Sequence, residues 1–174
     1  LIVSRGLGDV YKRQTKNQII CTVILLLNAG HEATVNTIGN SIVTLANNNI
    51  DTLDLDKKYN IKNIIEELIR FDSPLQFFQR WVLNDDEVGG VKVKKHSKVA
   101  ILLGSANRDS LAFSNADELD FDRANLSHTS FGGGVHFCLG AHLARLELEV
   151  SFNNLFSNTI SLEELPERTG AFGI

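Results

Sequence analysis

One cysteine sits in a setting that could do chemistry. The run Phe131-Gly132-Gly133-Gly134-Val135-His136-Phe137-Cys138-Leu139-Gly140 delivers Cys138 from a glycine-rich loop to the start of a helical pattern. Unpaired N–H groups and the dipole at a helix N-terminus favour a negative sulfur. Such a thiolate is available as a metal ligand or nucleophile. Glycines at 132, 133, 134 and 140 permit positive φ and close backbone approach to a flat or bulky group. No Gly-Lys-Ser/Thr follows, so this is not a phosphate-binding loop. On the residues alone three readings stay open. Cys138 could be a small buried apolar side chain in a turn. It could join His136 and His142 at zinc, although one cysteine without a second cluster suits structural zinc poorly. It could be a thiol nucleophile, for which no positioned base stands out.

A second unusual stretch is Asn28-Ala29-Gly30-His31-Glu32-Ala33-Thr34. It is polar and carries glycine at the centre of an otherwise apolar helical pattern, where Gly costs about 1 kcal/mol relative to Ala. A local rule broken in this way tends to mark a site. A third is Glu67-Leu68-Ile69-Arg70, whose charged ends share one helix face at i and i+3. Taken alone, that pair reads as a surface ion pair worth under about 1 kcal/mol.

The elements that must position these residues follow from periodicity. Apolar residues from Ile19 to Leu45 recur at three and four, predicting a helix over 15–48, roughly 48 Å long at 1.5 Å per residue. Its densest apolar run, Val23 to Leu27, is too short to span a bilayer. A helix over 61–71 has Asn60 as N-cap and is stopped by Pro74. Strands are expected at 81–83, 91–93 and 99–103, with Gly89-Gly90 as a turn. Residues 104–134 read mostly as loop, with a short helix near 116–119; so long an irregular stretch is usually functional. A last helix covers 139–156, with Leu143, Leu146, Val150 and Leu155 along one side.

The 174 residues carry Lys+Arg 17 against Asp+Glu 21, a net charge of −4, with 43% hydrophobic and 22% charged residues. This is a globular composition. It excludes a disordered polyelectrolyte and a polytopic membrane protein, and it shows no nucleic-acid footprint. Two cysteines cannot form a disulfide framework. The chain begins at Leu1 and contains no Met, so it reads as part of a longer protein. Residues 1–14 lack apolar periodicity and are taken as a non-native leader; 15–174 is then a partial domain. They also lack an apolar signal-peptide core.

The cysteine loop resembles the heme-binding signature of the cytochrome P-450 superfamily, Phe-Gly-x-Gly-x-His/Arg-x-Cys-x-Gly, at every fixed position. The resemblance is strongest to the soluble bacterial branch. It implies a mainly α fold with small β-sheets, here the C-terminal part. It implies heme b (iron protoporphyrin IX) with Cys138 as axial iron ligand, a thiolate that pushes electron density toward O–O cleavage. His136 and Arg80 would bind heme propionates, Phe131 would pack near the sulfur, Gly132 would belong to the cradle, and Gly140 would let the next helix run close under the porphyrin. Glu67 and Arg70 resemble the family's Glu-x-x-Arg pair, with Arg123 as its third member. The polar stretch resembles Ala/Gly-Gly-x-Glu/Asp-Thr-Thr: Gly30 would permit a local helix bulge, and Glu32 and Thr34 would serve proton delivery. Ala29, Ala33, Leu75 and Phe77 would wall the substrate pocket. Arg145 would either join a basic patch for an acidic redox partner or be a solvated charge.

Three departures from the pattern stand out. Ala33 replaces the family's usual threonine. Lys94 and His96 replace Ile-Pro-x-Gly residues at a hairpin, where a positive φ would strain His96. Ser110 stands where proline is common. The implied activity is monooxygenation of a small apolar organic substrate by dioxygen in the cytoplasm, with electrons from NAD(P)H through a ferredoxin or flavodoxin and neither nucleic acid nor membrane involved. Ala33 keeps a peroxygenase or isomerase as the alternative. A non-catalytic piece unable to retain heme is a further one.

Overall fold

A computed structural model of the chain describes residues 14–52 and 55–158. Residues 1–13 of the expected leader lie outside the described residues. Helix α1 (Lys16–Asn47) opens with a capping box: Gln18 N–H donates to Thr15 Oγ1 at 3.3 Å, and Thr15 N–H donates to Gln18 Oε1 at 2.8 Å. This satisfies two of the donors a helix start leaves unpaired. After α2 (Leu55–Lys58), α3 (Ile61–Phe71) starts on Asn60, whose side chain accepts from Lys62 N–H at 2.9 Å. The chain then forms β1 (Phe78–Trp81), β2 (Asp86–Val88), β3 (Val91–Val93) and β4 (Lys98–Ile101), followed by α4 (Leu103–Ala106). A 3₁₀ turn at Gly134–His136 precedes α5 (Ala141–Asn158).

Helix α3 is the hub. Its Ile64, Ile65, Leu68 and Ile69 are buried with Leu45 of α1, Leu148, Phe152 and Phe156 of α5, and Leu55 and Phe121. Burying each such side chain is worth roughly 1.5–3 kcal/mol, so this cluster fixes how the three longer helices meet. The buried face of α5 is not the one expected. Leu143, Leu146 and Val150 are exposed and only Leu155 of the expected side packs against the core, while Leu148, Phe152 and Phe156 are buried in it. Both sides of α5 carry apolar residues, and the side with two phenylalanines has more area to bury. Helix α1 splits along its length. Thr37, Ser41, Thr44 and Leu45 are buried, whereas Ile20, Val23, Ile24 and Leu25 to Leu27 are exposed. By length and composition α1 could cross a membrane, but the core helix of a soluble protein meets the same criterion. The helix passes through Gly30 as regular α-helix, without the bulge expected there.

Four strands form two small antiparallel sheets, with β3 at the expected 91–93 and β4 at 98–101 against the expected 99–103. Strand β1 pairs with β4 in the register Phe78↔Ile101 and Arg80↔Val99, so the first strand lies at 78–81 rather than 81–83. All four β1 residues are exposed, which removes the alternation that would locate a half-buried strand. Strand β2, not anticipated, pairs with β3 around Gly89 (φ +56°) and Gly90 (φ +81°). Two successive positive φ angles are what a type I′ hairpin turn requires. His96 does adopt positive φ, +67°, and donates its N–H to Val82 O at 2.7 Å. Residues 116–119 form turns rather than a helix. Arginine side chains claim the carbonyls of Ala116 and Glu118 there, leaving them unavailable to a helix.

Candidate active site

The cysteine loop is built by its glycines and by one cross-loop bond. Gly132 and Gly134 take φ +70° and +60°, conformations costly for other residues. Cys138 N–H donates to Phe131 O at 2.9 Å, and Gly132 N–H donates to Thr129 O at 2.8 Å. Cys138 lies three residues before the first residue of α5, and its carbonyl accepts from Ala141 N–H at 3.3 Å. Its thiol is free and exposed in this chain, unlike a small apolar side chain packed in a turn. Among the described residues no group of three or more His, Cys, Asp or Glu side chains is placed to hold a metal ion. His136, Cys138 and His142 therefore do not form a zinc site.

Cys138 opens into a cavity of about 640 Å³, in the usual range for ligand sites. Ala29, Ala33, Thr34 and Thr37 of α1 form one wall. Phe78, Arg80, Ile101 and Leu103 bring in the β1–β4 sheet and the start of α4, and Leu75 fills the corner after Pro74. Phe131, Gly132 and His136 lie beside the cysteine. Most of the sites anticipated from sequence thus meet in one space. Three do not line it. Phe77 precedes β1 and falls out of step with Phe78 and Arg80, as neighbours in extended chain do. Glu32 is exposed and shares a separate surface depression with Leu27, Asn28 and His31. Gly140 lies beyond the cavity, in the turn that leads into α5. Thr34 reaches the cavity, but its hydroxyl donates to Glu147 Oε2 of α5 at 3.1 Å.

Behind the cavity, Glu67, Arg70 and Arg123 form one buried cluster. Arg70 donates to Glu67 through Nε and Nη2, each at 2.8 Å, and Arg123 Nε approaches both carboxylate oxygens at 3.1 and 3.2 Å. Asp120 N–H adds a further bond to Glu67 at 2.9 Å. The remaining guanidinium donors reach backbone carbonyls: Arg70 those of Asn107, Ala116 and Glu118, Arg123 those of Ser114, Asn115 and Glu118. Buried charges that are paired and fully hydrogen-bonded meet the condition for tolerating their desolvation.

Several contributing residues carry no signal in the sequence. Asn107 is fully buried and links Ser73, Thr129 and Ser130. Glu66 binds Arg145 through both oxygens, at 2.5 and 2.8 Å, and accepts from His128 Nε2 at 3.1 Å. Arg145 is therefore held in an ion pair with its side chain 34% exposed. Burial pushes the Glu66 carboxyl up, but hydrogen bonds from Arg145 and His128, together with the Arg145 charge, more than offset this and bring its pKa to about 2.

The cytochrome P450 family profile matches residues 49–159. The chain belongs to the cytochrome P450 family. It is 41% identical over 151 residues to Cytochrome P450 109 of Bacillus spizizenii, covering 86% of this chain and 37% of that protein. It is 42% identical over 144 residues to a steroid C26-monooxygenase of Rhodococcus jostii, covering 82% of this chain and 30% of that protein. Among solved structures, P450BioI in complex with an acyl carrier protein ligated to hexadec-9Z-enoic acid superimposes with a TM-score of 0.77 at 40% identity. That match covers 83% of this chain and 38% of the other. The chain therefore spans well under half the length of these P450 relatives. Its mainly helical architecture with small sheets is the corresponding part of the P450 fold.

Membership in the P450 family implies a heme cofactor. The donor set suits one. A free thiol faces a largely apolar cavity, and Arg80 and His136, whose side chains can donate to a carboxylate, line the same cavity. The backbone beside the thiol is open as well, since a Cβ added at Gly133, Gly134 or Gly140 would meet no protein atom within 4 Å.

Proposed function

We propose that the whole protein is a cytoplasmic heme-thiolate monooxygenase that inserts one atom of dioxygen into a small apolar organic substrate. The observation that carries this reading is the free Cys138 thiol facing Ala29 and Ala33 across an apolar cavity that also contains Arg80 and His136. Bound heme b would supply oxygen activation, with electrons from NAD(P)H through a ferredoxin or flavodoxin.

The chain's own residues have distinct parts in this reading. Cys138 holds the iron, and Phe131, through its carbonyl, holds the Cys138 N–H. Gly132 gives the cradle its turn, and Gly140 would leave room for the porphyrin ahead of α5. Arg80 and His136 donate to the propionates. Ala29, Ala33 and Leu75 offer methyl and methylene surface to an apolar substrate and exclude water from it. Glu32 gathers protons from solvent, where its carboxylate lies. Thr34 follows Ala33 directly in α1, and Glu147 orients its hydroxyl. Glu67, Arg70 and Arg123 hold the scaffold behind.

One observation favours a second reading, a heme-thiolate peroxygenase. Ala33 has no hydroxyl, and the hydroxyl of Thr34 is committed to Glu147. A peroxide brings its oxygens already reduced and has less need of a proton route.

The test is a reduced-plus-CO difference spectrum of the full-length protein. A strongly red-shifted, thiolate-type Soret band that is lost in Cys138→Ser is the expected result; the same band surviving in that variant overturns the assignment. Product formation with NADPH and ferredoxin, against peroxide alone, separates the two readings.

A further inference from the structure

We propose that Glu66 and Arg145 form an opposed charge pair that sets how readily a heme iron bound by Cys138 accepts an electron. This rests on the heme-thiolate reading above and adds to it a tuning role for two residues outside the cavity.

Three contacts lead from α3 to the backbone of Cys138. Glu66 Oε1 and Oε2 accept from Arg145 Nε and Nη2 at 2.5 and 2.8 Å, a two-point grip that fixes the guanidinium plane. That guanidinium lies 4.4 Å from the centroid of the Phe131 ring, within cation–π range. Phe131 O accepts from Cys138 N–H at 2.9 Å. Glu66 Oε2 also faces His128 Nε2 at 3.1 Å, and the His128 ring lies 5.8 Å from the Phe131 ring. Ser130 N–H donates to His128 Nδ1 at 3.3 Å, which leaves Nε2 as the donor to Glu66. Glu66 thus holds both groups that lie against the Phe131 ring, Arg145 and His128. The other charged groups in the same groove are Lys62, Glu149 and, when protonated, His142.

The cluster is shielded enough for its charges to act at a distance. The His128 side chain is 1% exposed, that of Glu66 18% and that of Arg145 34%. Partly buried charges are screened less than exposed ones. Reduction of ferric to ferrous iron adds one electron and no proton, so it makes the thiolate centre more negative by one charge. A guanidinium nearby favours that change, and a carboxylate opposes it. Arg145 and Glu66 therefore push in opposite directions. A purely structural clamp would instead make both substitutions loosen the same loop.

Redox titration of the heme-loaded full-length protein distinguishes these cases. At a fixed applied potential, Glu66→Gln raises the ferrous-to-ferric ratio about threefold, which is ~28 mV at ~59 mV per tenfold for one electron. Arg145→Gln lowers the ratio by a similar factor, and the double variant returns towards the unsubstituted protein. Shifts of the same sign, or no shift in either variant, overturn the proposal. If Glu66→Gln does not load heme, Arg145→Gln decides alone: a potential equal to or above that of the unsubstituted protein overturns it. If the unsubstituted protein lacks the thiolate-type CO band, the heme-thiolate reading fails and takes this inference with it. If the band forms and the opposed shifts do not, only this inference fails.

Discussion

The Asn107 side-chain amide donates to the Ser130 hydroxyl at 2.7 Å, one residue before Phe131 and the cysteine loop. The same amide reaches Ser73 Oγ at 2.7 Å, and its carbonyl oxygen accepts from Thr129 N–H at 2.7 Å and Thr129 Oγ1 at 2.9 Å. One buried side chain therefore ties the end of α3 to the start of the loop. Asn107→Leu removes every one of these bonds without opening a cavity. Leaving buried groups unpaired costs about 1–3 kcal/mol each, and partial rearrangement brings the expected loss to about 3 kcal/mol. Urea unfolding of the full-length protein measures it, and a midpoint within error of the unsubstituted protein counts against the network.

Glu67→Ala strands two buried guanidinium groups. Removing one partner of a buried ion pair costs about 3–5 kcal/mol. Arg70→Lys does not preserve the cluster, because a lysine cannot fork to both Glu67 oxygens and also reach the carbonyls of Asn107 and Ala116. Both variants are expected to lower the denaturation midpoint, with Arg70→Lys near Glu67→Ala rather than near the unsubstituted protein.

Glu66 gives stability a defined acid limb. Its carboxyl lies near 2 in the folded protein, below the ordinary value of 4.5. A depressed carboxyl stabilises the fold fully above the unfolded value, and that stabilisation is lost as pH falls through the folded one. The window is therefore pH 4.5 down to 2. Discounted for the partial exposure of Arg145, the amount at stake is about 1–3 kcal/mol. Glu66→Gln should flatten stability against pH across that window and lower it above pH 5. An unchanged slope in the variant argues that another carboxylate controls the acid limb.

His96→Gly should stabilise the protein. A non-glycine residue at φ +67° carries a cost of roughly 1–2 kcal/mol. Glycine relieves this but loses about 0.4–1 kcal/mol through the greater freedom of the unfolded chain. The net gain is about 0.5–1 kcal/mol, read as a raised thermal midpoint with the hairpin bond from residue 96 N–H to Val82 O retained.

Glu32→Gln should slow turnover by at least ~tenfold if its carboxylate gathers protons. Thr34→Val tests the neighbouring route by removing the bond to Glu147. Coupling of electrons to product in Glu32→Gln, close to that of the unsubstituted protein, would speak against the proton role.

The cysteine loop was readable in advance because its spacing is local: Cys138, His136 and the glycines lie within ten residues. The helices 15–48 and 61–71 were readable for the same reason, from periodicity and caps. What escaped depends on partners far along the chain. Asn107 acts through Ser73, Thr129 and Ser130, and Glu66 through Arg145 and His128, and nothing in their immediate neighbours marks them. The orientation of α5 escaped because its apolar residues lie on both sides, so the core face is chosen by α3 and α1. Strand β1 is defined by pairing with β4 and has no alternation of its own. Glu32 falls within residues 20–32 of α1, where every residue is exposed in this chain, so its exposure selects no side of the helix.

The long irregular stretch after α4 has no ladder of its own, yet five of its carbonyls, from Asn107 to Glu118, accept from Arg70 and Arg123. Two side chains thus act as rivets through a segment that would otherwise open by itself. It can come free only when the helix bearing Arg70 melts too, so backbone amides there should exchange with solvent as slowly as those of the helix itself.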